Sequence, residues 1–168
     1  MSSRRELAMI AAVGRDLELG RNGDLVWHIS ADLKNFKRLT LGHPVIMGRK
    51  TWDSLPKRPL PGRLNVVLSR NMKPVEGAVV AASVEEALQA CEGADMPFVM
   101  GGAEIYARML PMASRLYITD VDADAPADVD AWFPEFRKEW RLDEAGEWLD
   151  DGNGVKYRFE TWLKRDSD

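Results

Sequence analysis

Residues 98–110 read FVMGGAEIYARML. A short apolar run stops at Gly101-Gly102 and gives way to helical spacing. The same order recurs upstream, where residues 45–55 read VIMGRKTWDSL: an apolar run, Gly48, then a short helix. Short apolar runs closed by turn residues are buried strands, and strands alternating with helices build a largely parallel α/β sheet. In such a sheet both helix starts emerge at one edge, beyond the carboxyl ends of the strands. Free N–H groups there accept phosphate, and glycine lets a ligand approach the backbone. Arg49 and Lys50 add positive charge at the first crossing, and Arg70 follows a third strand toward the same edge. Neither crossing is a GxGxxG fingerprint or a P-loop. Two of them on one edge, flanked by cations, point to a dinucleotide site.

Outward from these crossings, strands are expected at residues 6–13, 44–47, 64–69, 78–82, 97–100 and 115–121. Ser83 caps a helix that runs to about Ala90, with Glu86 completing a capping box. Residues 15–27 carry Gly20, Asn22 and Gly23 and read as a long loop. A loop of that length in a compact domain is usually functional. Residues 141–148 and 155–163 flank DDGNG, a hairpin signal. In the last strand Val155, Tyr157 and Phe159 alternate with Lys156, Arg158 and Glu160. No repeat, linker or domain boundary is visible. The expected fold class is a single α/β domain over residues 1–168, mostly parallel, with an antiparallel C-terminal edge and poorly ordered ends at 1–5 and 164–168.

At 168 residues the chain suits one domain with a sizeable core. The net charge of −4 argues against nucleic acid as a partner. Charge is unevenly spread, however. Between His43 and Lys73 basic residues outnumber the one acid, Asp53, whereas acids dominate from Asp120 to Asp151. A basic middle in an acidic protein suits a small anionic ligand. Cys91 is the only cysteine and His28 and His43 the only histidines, so neither a disulfide nor a cysteine- or histidine-rich metal site is expected. Asp120, Asp122 and Asp124 mimic the start of a calcium loop, but Ala125 and Ala131 replace the glycine and glutamate it needs. No nucleophile elbow accompanies the histidines. No stretch approaches membrane length, and the cytoplasm is the default location.

One more stretch carries chemistry. Residues 23–40 read GDLVWHISADLKNFKRLT, with Ser30 as expected N-cap of a helix. At about 100° per residue, Ile29, Leu33, Phe36, Leu39 and Thr40 share one face, opposite Lys34, Asn35 and Arg38. Asp32 points with the apolar side chains. A first-turn acid suits the helix dipole, but a carboxylate on the greasy side lacks a visible basic partner. That is costly, so a ligand is expected to supply the missing donors.

Taken together, Trp27 five residues before Asp32, FKRLT, PVIMGRKTW, RPLPGR, VMGGAEIY and LYIT resemble bacterial dihydrofolate reductases, in order from about Leu7 to Leu163. The resemblance implies an eight-stranded, mostly parallel twisted sheet with about four flanking helices. It implies reduction of 7,8-dihydrofolate by NADPH, with hydride going to pterin C6 and a proton to N5. By this correspondence Asp32 binds the pterin 2-amino group and N3 and assists protonation, Thr119 bonds that carboxylate, Trp27 holds a water, and Leu25 joins the catalytic group. Leu33, Phe36, Leu55 and Leu60 line the benzoyl slot. Arg63 clamps the glutamate carboxylate in bidentate geometry, and Ile10, Ala11, Met100 and Tyr106 complete the substrate contacts.

For the cofactor NADPH, the correspondence gives Ala12, Leu19 and Gly20 near the nicotinamide. Arg49, Ser69 and Arg70 surround the 2′-phosphate, with Leu68 beside them. Gly48, Lys50, Thr51, Gly101, Gly102, Ala103, Glu104 and Ile105 form the pyrophosphate surroundings, with a cis Gly101-Gly102 bond. Val26 stands where many members have proline, which loosens loop closure. A riboflavin-pathway reductase of similar sheet is the nearest rival, and Asp32 and Arg63 argue against it. A non-catalytic folate or nucleotide carrier is the rival of another class. The resemblance also implies antifolate inhibitors as ligands, a monomer, no membrane partner and no metal.

Overall fold

Residues 6–165 are described by the computed structural model. The apolar runs VIMG and NVVL become strands with every residue buried, whereas AVVA of the edge strand is mostly half-exposed. The chain runs β1 (Ala8–Val13), β2 (Glu18–Arg21), β3 (Asp24–Leu25), α1 (Ser30–Thr40), β4 (Val45–Gly48), α2 (Arg49–Ser54), β5 (Asn65–Leu68), β6 (Ala78–Ala81) and α3 (Val84–Ala90). It continues through β7 (Phe98–Val99), α4 (Ala103–Met109), a 3-10 turn (Leu110–Met112), β8 (Arg115–Asp122), β9 (Ala131–Trp132), β10 (Trp140–Ala145), β11 (Leu149–Asp150) and β12 (Lys156–Lys164).

The main sheet has the order β10-β12-β8-β1-β7-β4-β5-β6, with β11 beside β12. From β8 to β6 all neighbours are parallel, while β12 is antiparallel to β8, and β10 and β11 to β12. This is the expected α/β fold class: a single domain with a mixed eight-stranded central sheet, an antiparallel C-terminal hairpin and four helices. A parallel sheet needs both faces covered. On one face Met9, Ile46, Val66 and Val99 pack with Ala87, Ile105 and Met109 from α3 and α4. On the other, Ala8, Ile10, Val45, Met47 and Phe98 pack with Trp52 of α2 and with Phe36 and Leu39 of α1.

Several expectations need correction. Ser30 is not the N-cap of α1; Ile29 is, with no side-chain cap, and its carbonyl accepts from the N–H groups of Asp32 and Leu33. Leu33 is 58% exposed although it shares a face with buried neighbours. Residues 15–27 are not all loop, since β2 and β3 form a small hairpin around Asn22-Gly23, both at positive φ, and β9 adds a third strand. The C-terminal hairpin is interrupted between β10 and β11. Gly146 N–H there donates to Phe159 O, and the register shifts near Asp143. The Ser83 cap forms as expected, accepting from Glu86 N–H at 3.1 Å, but the Glu86 carboxylate reaches Ala82 N–H at 2.9 Å. Of the expected loose ends, 1–5 and 166–168 lie outside the described residues. Lys164 closes β12, and Arg165 N–H donates to Glu139 O.

The alternation along the last strand breaks at Glu160, which is only 5% exposed. Its carboxylate accepts from Arg158 Nε at 2.8 Å and Trp162 Nε1 at 2.9 Å. Asp120, opposite Arg158 in the β8–β12 register, is its diagonal neighbour. Burial and the shared hydrogen bond with Glu160 push the Asp120 carboxyl up to about 6, against the pull of Arg158 and Arg137. The native pair therefore binds a proton more tightly than the unfolded chain. Its contribution to stability is full below about pH 4 and is lost as pH rises through about 6. Asp120→Asn is expected to remove about 1 kcal/mol of that fall, after allowance for solvent screening. Urea midpoints measured from pH 5 to 7 read the difference, and parallel pH profiles for variant and wild type would refute it.

Candidate active site

Strand β1 lies between β7 and β8, so its carboxyl end is at the middle of the sheet edge. Ile10 and Ala11 are nearly buried there, and Ala12 is in register with Thr119 of β8. The first turn of α1 brings Asp32 to the same place. Thr119 Oγ1 donates to Asp32 Oδ1 at 2.5 Å, linking residues 87 apart in the chain. Asp32 makes no ion pair among the described residues. Burial pushes its carboxyl above the usual carboxylate range, and the Thr119 hydroxyl opposes this only in part. Tyr106 Oη donates to Ile10 O at 2.6 Å. Burial and then the Asp32 charge raise the Tyr106 phenol, so it stays a neutral donor. Trp27 is 9% exposed, and its indole N–H is buried with no acceptor among the described residues. A buried indole N–H calls for one.

Phe36 follows Asp32 by about one helical turn. Phe36 of α1 is half-buried, as are Leu55, Leu60 and Met100, all packed against the apolar cluster on that face. Arg63 stands beside Phe36. Its Nε donates to Pro61 O at 2.9 Å, one Nη donates to Thr40 Oγ1 at 3.1 Å, and the guanidinium lies 5.9 Å from the Phe36 ring centre. Partial desolvation lowers its pKa.

The glycine crossings meet on one edge, because β4 and β7 are adjacent and parallel. Gly48 N–H donates to Gly101 O at 2.8 Å. A Cβ at Gly48 would sit 3.0 Å from Ile105 Cγ1, so any larger residue there would press on the Ile105 side chain. Gly101 has φ +123°, and the Gly101-Gly102 peptide is cis. Neither α2 nor α4 has a side-chain cap at its start. Lys50 and Thr51 of α2 and Ala103 and Glu104 of α4 follow these glycines directly. Leu68 ends β5 beside β4, and Ser69 Oγ accepts from the N–H groups of Asn71 and Met72. Arg49 and Arg70 are exposed at this edge. Free amides, close-approach glycines and exposed cations are the donor set that a nucleotide pyrophosphate and phosphate require, so the residues fit NADPH.

Leu19 is buried in β2, whereas Leu25 in β3 is 47% exposed. What ties down this hairpin was missed in the sequence. Asp130 N–H donates to Gly20 O, and Asn22 N–H donates to an Asp130 carboxylate oxygen, both at 3.0 Å. Arg15 pairs with Asp122 at 2.6 Å and Asp124 at 2.5 Å, and Arg21 with Asp128 at 3.3 Å. The signal was present as two arginines in one segment and an aspartate run in the other. Among the described residues no group of three His, Cys, Asp or Glu is placed to hold a metal ion.

The sequence profile of the family described as dihydrofolate reductase matches residues 6–164. The chain belongs to the dihydrofolate reductase family. Curated relatives of that name include one from Neisseria gonorrhoeae, 46% identical over 160 residues, covering 94% of this chain and 98% of the relative. Another, from Mycobacterium tuberculosis, is 44% identical over 148 residues, covering 86% and 89%. A third, from Bacillus subtilis, is 37% identical over 164 residues, covering 96% of each. The family match spans both crossings, the Asp32–Thr119 pair and Arg63.

A Cβ at Gly20 would fall 2.6 Å from the Asp24 carbonyl across the β2–β3 hairpin. Gly20→Ala is therefore expected to loosen this hairpin at a local cost of about 1–3 kcal/mol. Limited proteolysis within residues 15–25 should accelerate about tenfold or more while the thermal midpoint barely moves. An unchanged cleavage rate would mean that the backbone absorbs the clash.

Proposed function

We infer that this protein reduces 7,8-dihydrofolate to 5,6,7,8-tetrahydrofolate with NADPH. The observation that carries the reading is Asp32: a partly buried carboxylate, desolvated, held by one hydroxyl, with no cation paired to it among the described residues. Such a group is completed by a ligand offering two N–H donors on one edge, which the pterin 2-amino group and N3 provide. NADPH, when bound, supplies the hydride for pterin C6.

The remaining work falls to the chain. Thr119 fixes one Asp32 oxygen and leaves the other free to face the pterin. The raised pKa of Asp32 brings its proton capacity closer to neutral pH, as protonation of N5 demands. The unpaired Trp27 N–H holds the water beside that proton path. Tyr106 anchors the Ile10 carbonyl, which stiffens the strand on which the two rings meet. Ala11, Leu25, Leu33, Phe36, Leu55, Leu60 and Met100 surround the substrate, and Arg63, pre-aimed by Pro61 and Thr40, takes the glutamate carboxylate. Ala12, Leu19 and Gly20 face the nicotinamide. Gly48, Lys50, Thr51 and residues 101–105 hold the pyrophosphate, and Arg49, Leu68, Ser69 and Arg70 hold the adenosine end.

The same reading makes antifolates ligands of the Asp32 edge, and makes the protein a monomer of the cytoplasm with no nucleic-acid partner. No described helix is long and apolar enough to cross a membrane. A stopped-flow record of NADPH absorbance tests the activity. Rapid loss dependent on dihydrofolate is expected, and binding of both ligands without oxidation would make the protein a carrier instead.

A further inference from the structure

Asn65 opens β5, between Val45 of β4 and Ala78 of β6. It is buried, and the rest of the strand is aliphatic. Asparagine is disfavoured in strands, and a buried amide is costly unless its polar atoms are met. Here they are met by the loop that leads into β5. Leu60 N–H donates to Asn65 Oδ1 at 2.9 Å. Asn65 Nδ2 donates to Leu60 O at 3.0 Å and to Arg63 O at 2.9 Å. One side chain thus brackets residues 60–63. On the other side the loop is tied to the end of α1, where Gly42 N–H donates to Gly62 O at 3.0 Å. The approach there is close, since a Cβ at Gly62 would fall 2.8 Å from Leu41 Cδ1. The Arg63 guanidinium, donating to Pro61 O and Thr40 Oγ1, is therefore aimed from a backbone that Asn65 holds.

We propose that Asn65 is a positioning residue for the substrate's benzoylglutamate tail. It holds the Leu60 and Arg63 backbone so that the benzoyl contact and the carboxylate clamp stand at a fixed spacing. The role rests on the reductase reading, because it acts through Leu60 and Arg63. Valine would suit the strand better than asparagine and fill much the same space. A residue retained only for the sheet needs no amide, yet all three of these side-chain bonds end on the loop.

The test compares Asn65→Val and Asn65→Ser with wild type on two substrates, 7,8-dihydrofolate and a 7,8-dihydropterin without the benzoylglutamate tail. Both variants are expected to raise the dihydrofolate Michaelis constant about five- to thirtyfold, because a clamp displaced by about 1 Å keeps its charge and loses its geometry. kcat, the NADPH constant and both constants for the tail-free pterin should move less than about twofold, as uniform loss of tail binding requires. In an Arg63→Leu background the same changes should cost less than about threefold more, since little of the clamp is left to misplace. A merely structural role would instead lower the melting midpoint and weaken both pterins and the cofactor alike. Equal losses on the two pterins, full additivity with Arg63→Leu, or a wild-type dihydrofolate constant in both variants would each overturn the proposal, as would failure of both to fold. Failure of the reductase reading has a separate mark, the absence of dihydrofolate-dependent NADPH oxidation in wild type.

Discussion

Asp32→Asn is expected to lower the rate of hydride transfer at neutral pH by on the order of 10²-fold or more, the usual worth of acid–base assistance. The same substitution should leave the fold intact and the thermal midpoint equal or higher. Burial raises the native pKa of Asp32 above its unfolded value. Its stability contribution is therefore full at low pH and lost as pH rises through the native pKa, so at neutral pH the ionised group is a burden. An amide keeps an acceptor for the Thr119 hydroxyl and carries no charge to desolvate. Loss of rate together with unchanged or greater stability is the mark of a group retained for chemistry. Pre-steady-state rates and melting curves from the same preparation measure both. A variant that turns over like wild type, or one that unfolds, would remove Asp32 from its assigned role.

Arg63→Leu is expected to raise the Michaelis constant for dihydrofolate on the order of 10²-fold. The figure follows from losing charge-assisted hydrogen bonds worth about 1.5–3 kcal/mol each, partly replaced by water. The NADPH constant should change little. The fold should tolerate the change, since Thr40 still donates its hydroxyl to Phe36 O at 2.7 Å. A substrate lacking the glutamate separates the clamp from incidental damage, because wild type and variant should handle it alike. If the variant loses equally on both substrates, the carboxylate is bound elsewhere.

The sheet was legible in the sequence wherever burial is two-sided, because VIM, NVVL and FV lie in short apolar runs closed by turn residues, too short for helices. The β2–β3 hairpin was not. Its six residues are polar or glycine for the most part, and its pairing depends on Asp130, more than a hundred positions away. Asp32 could be singled out by its direction on the helix. Its partner Thr119 came only through family resemblance, since nothing local to residues 115–121 announces a contact with residue 32. Glu160 misled for a related reason. Period-two alternation assigns it to solvent, whereas Arg158 and Trp162 on the same strand make its burial tolerable. Ser30 misled by type: it is the first residue of α1, and Ile29 before it starts the helix without side-chain help.

The arginine–aspartate contacts that fasten the β2–β3 hairpin are at the protein surface, with Arg15 and Arg21 about half exposed. Surface charge pairs weaken as dissolved ions crowd around them, over a range of about 10 Å at 0.1 M. The fastening therefore answers to the medium. Turnover recorded in dilute buffer and turnover recorded at about 0.15 M salt would describe two differently latched enzymes, and rates from the two should not be placed on one scale.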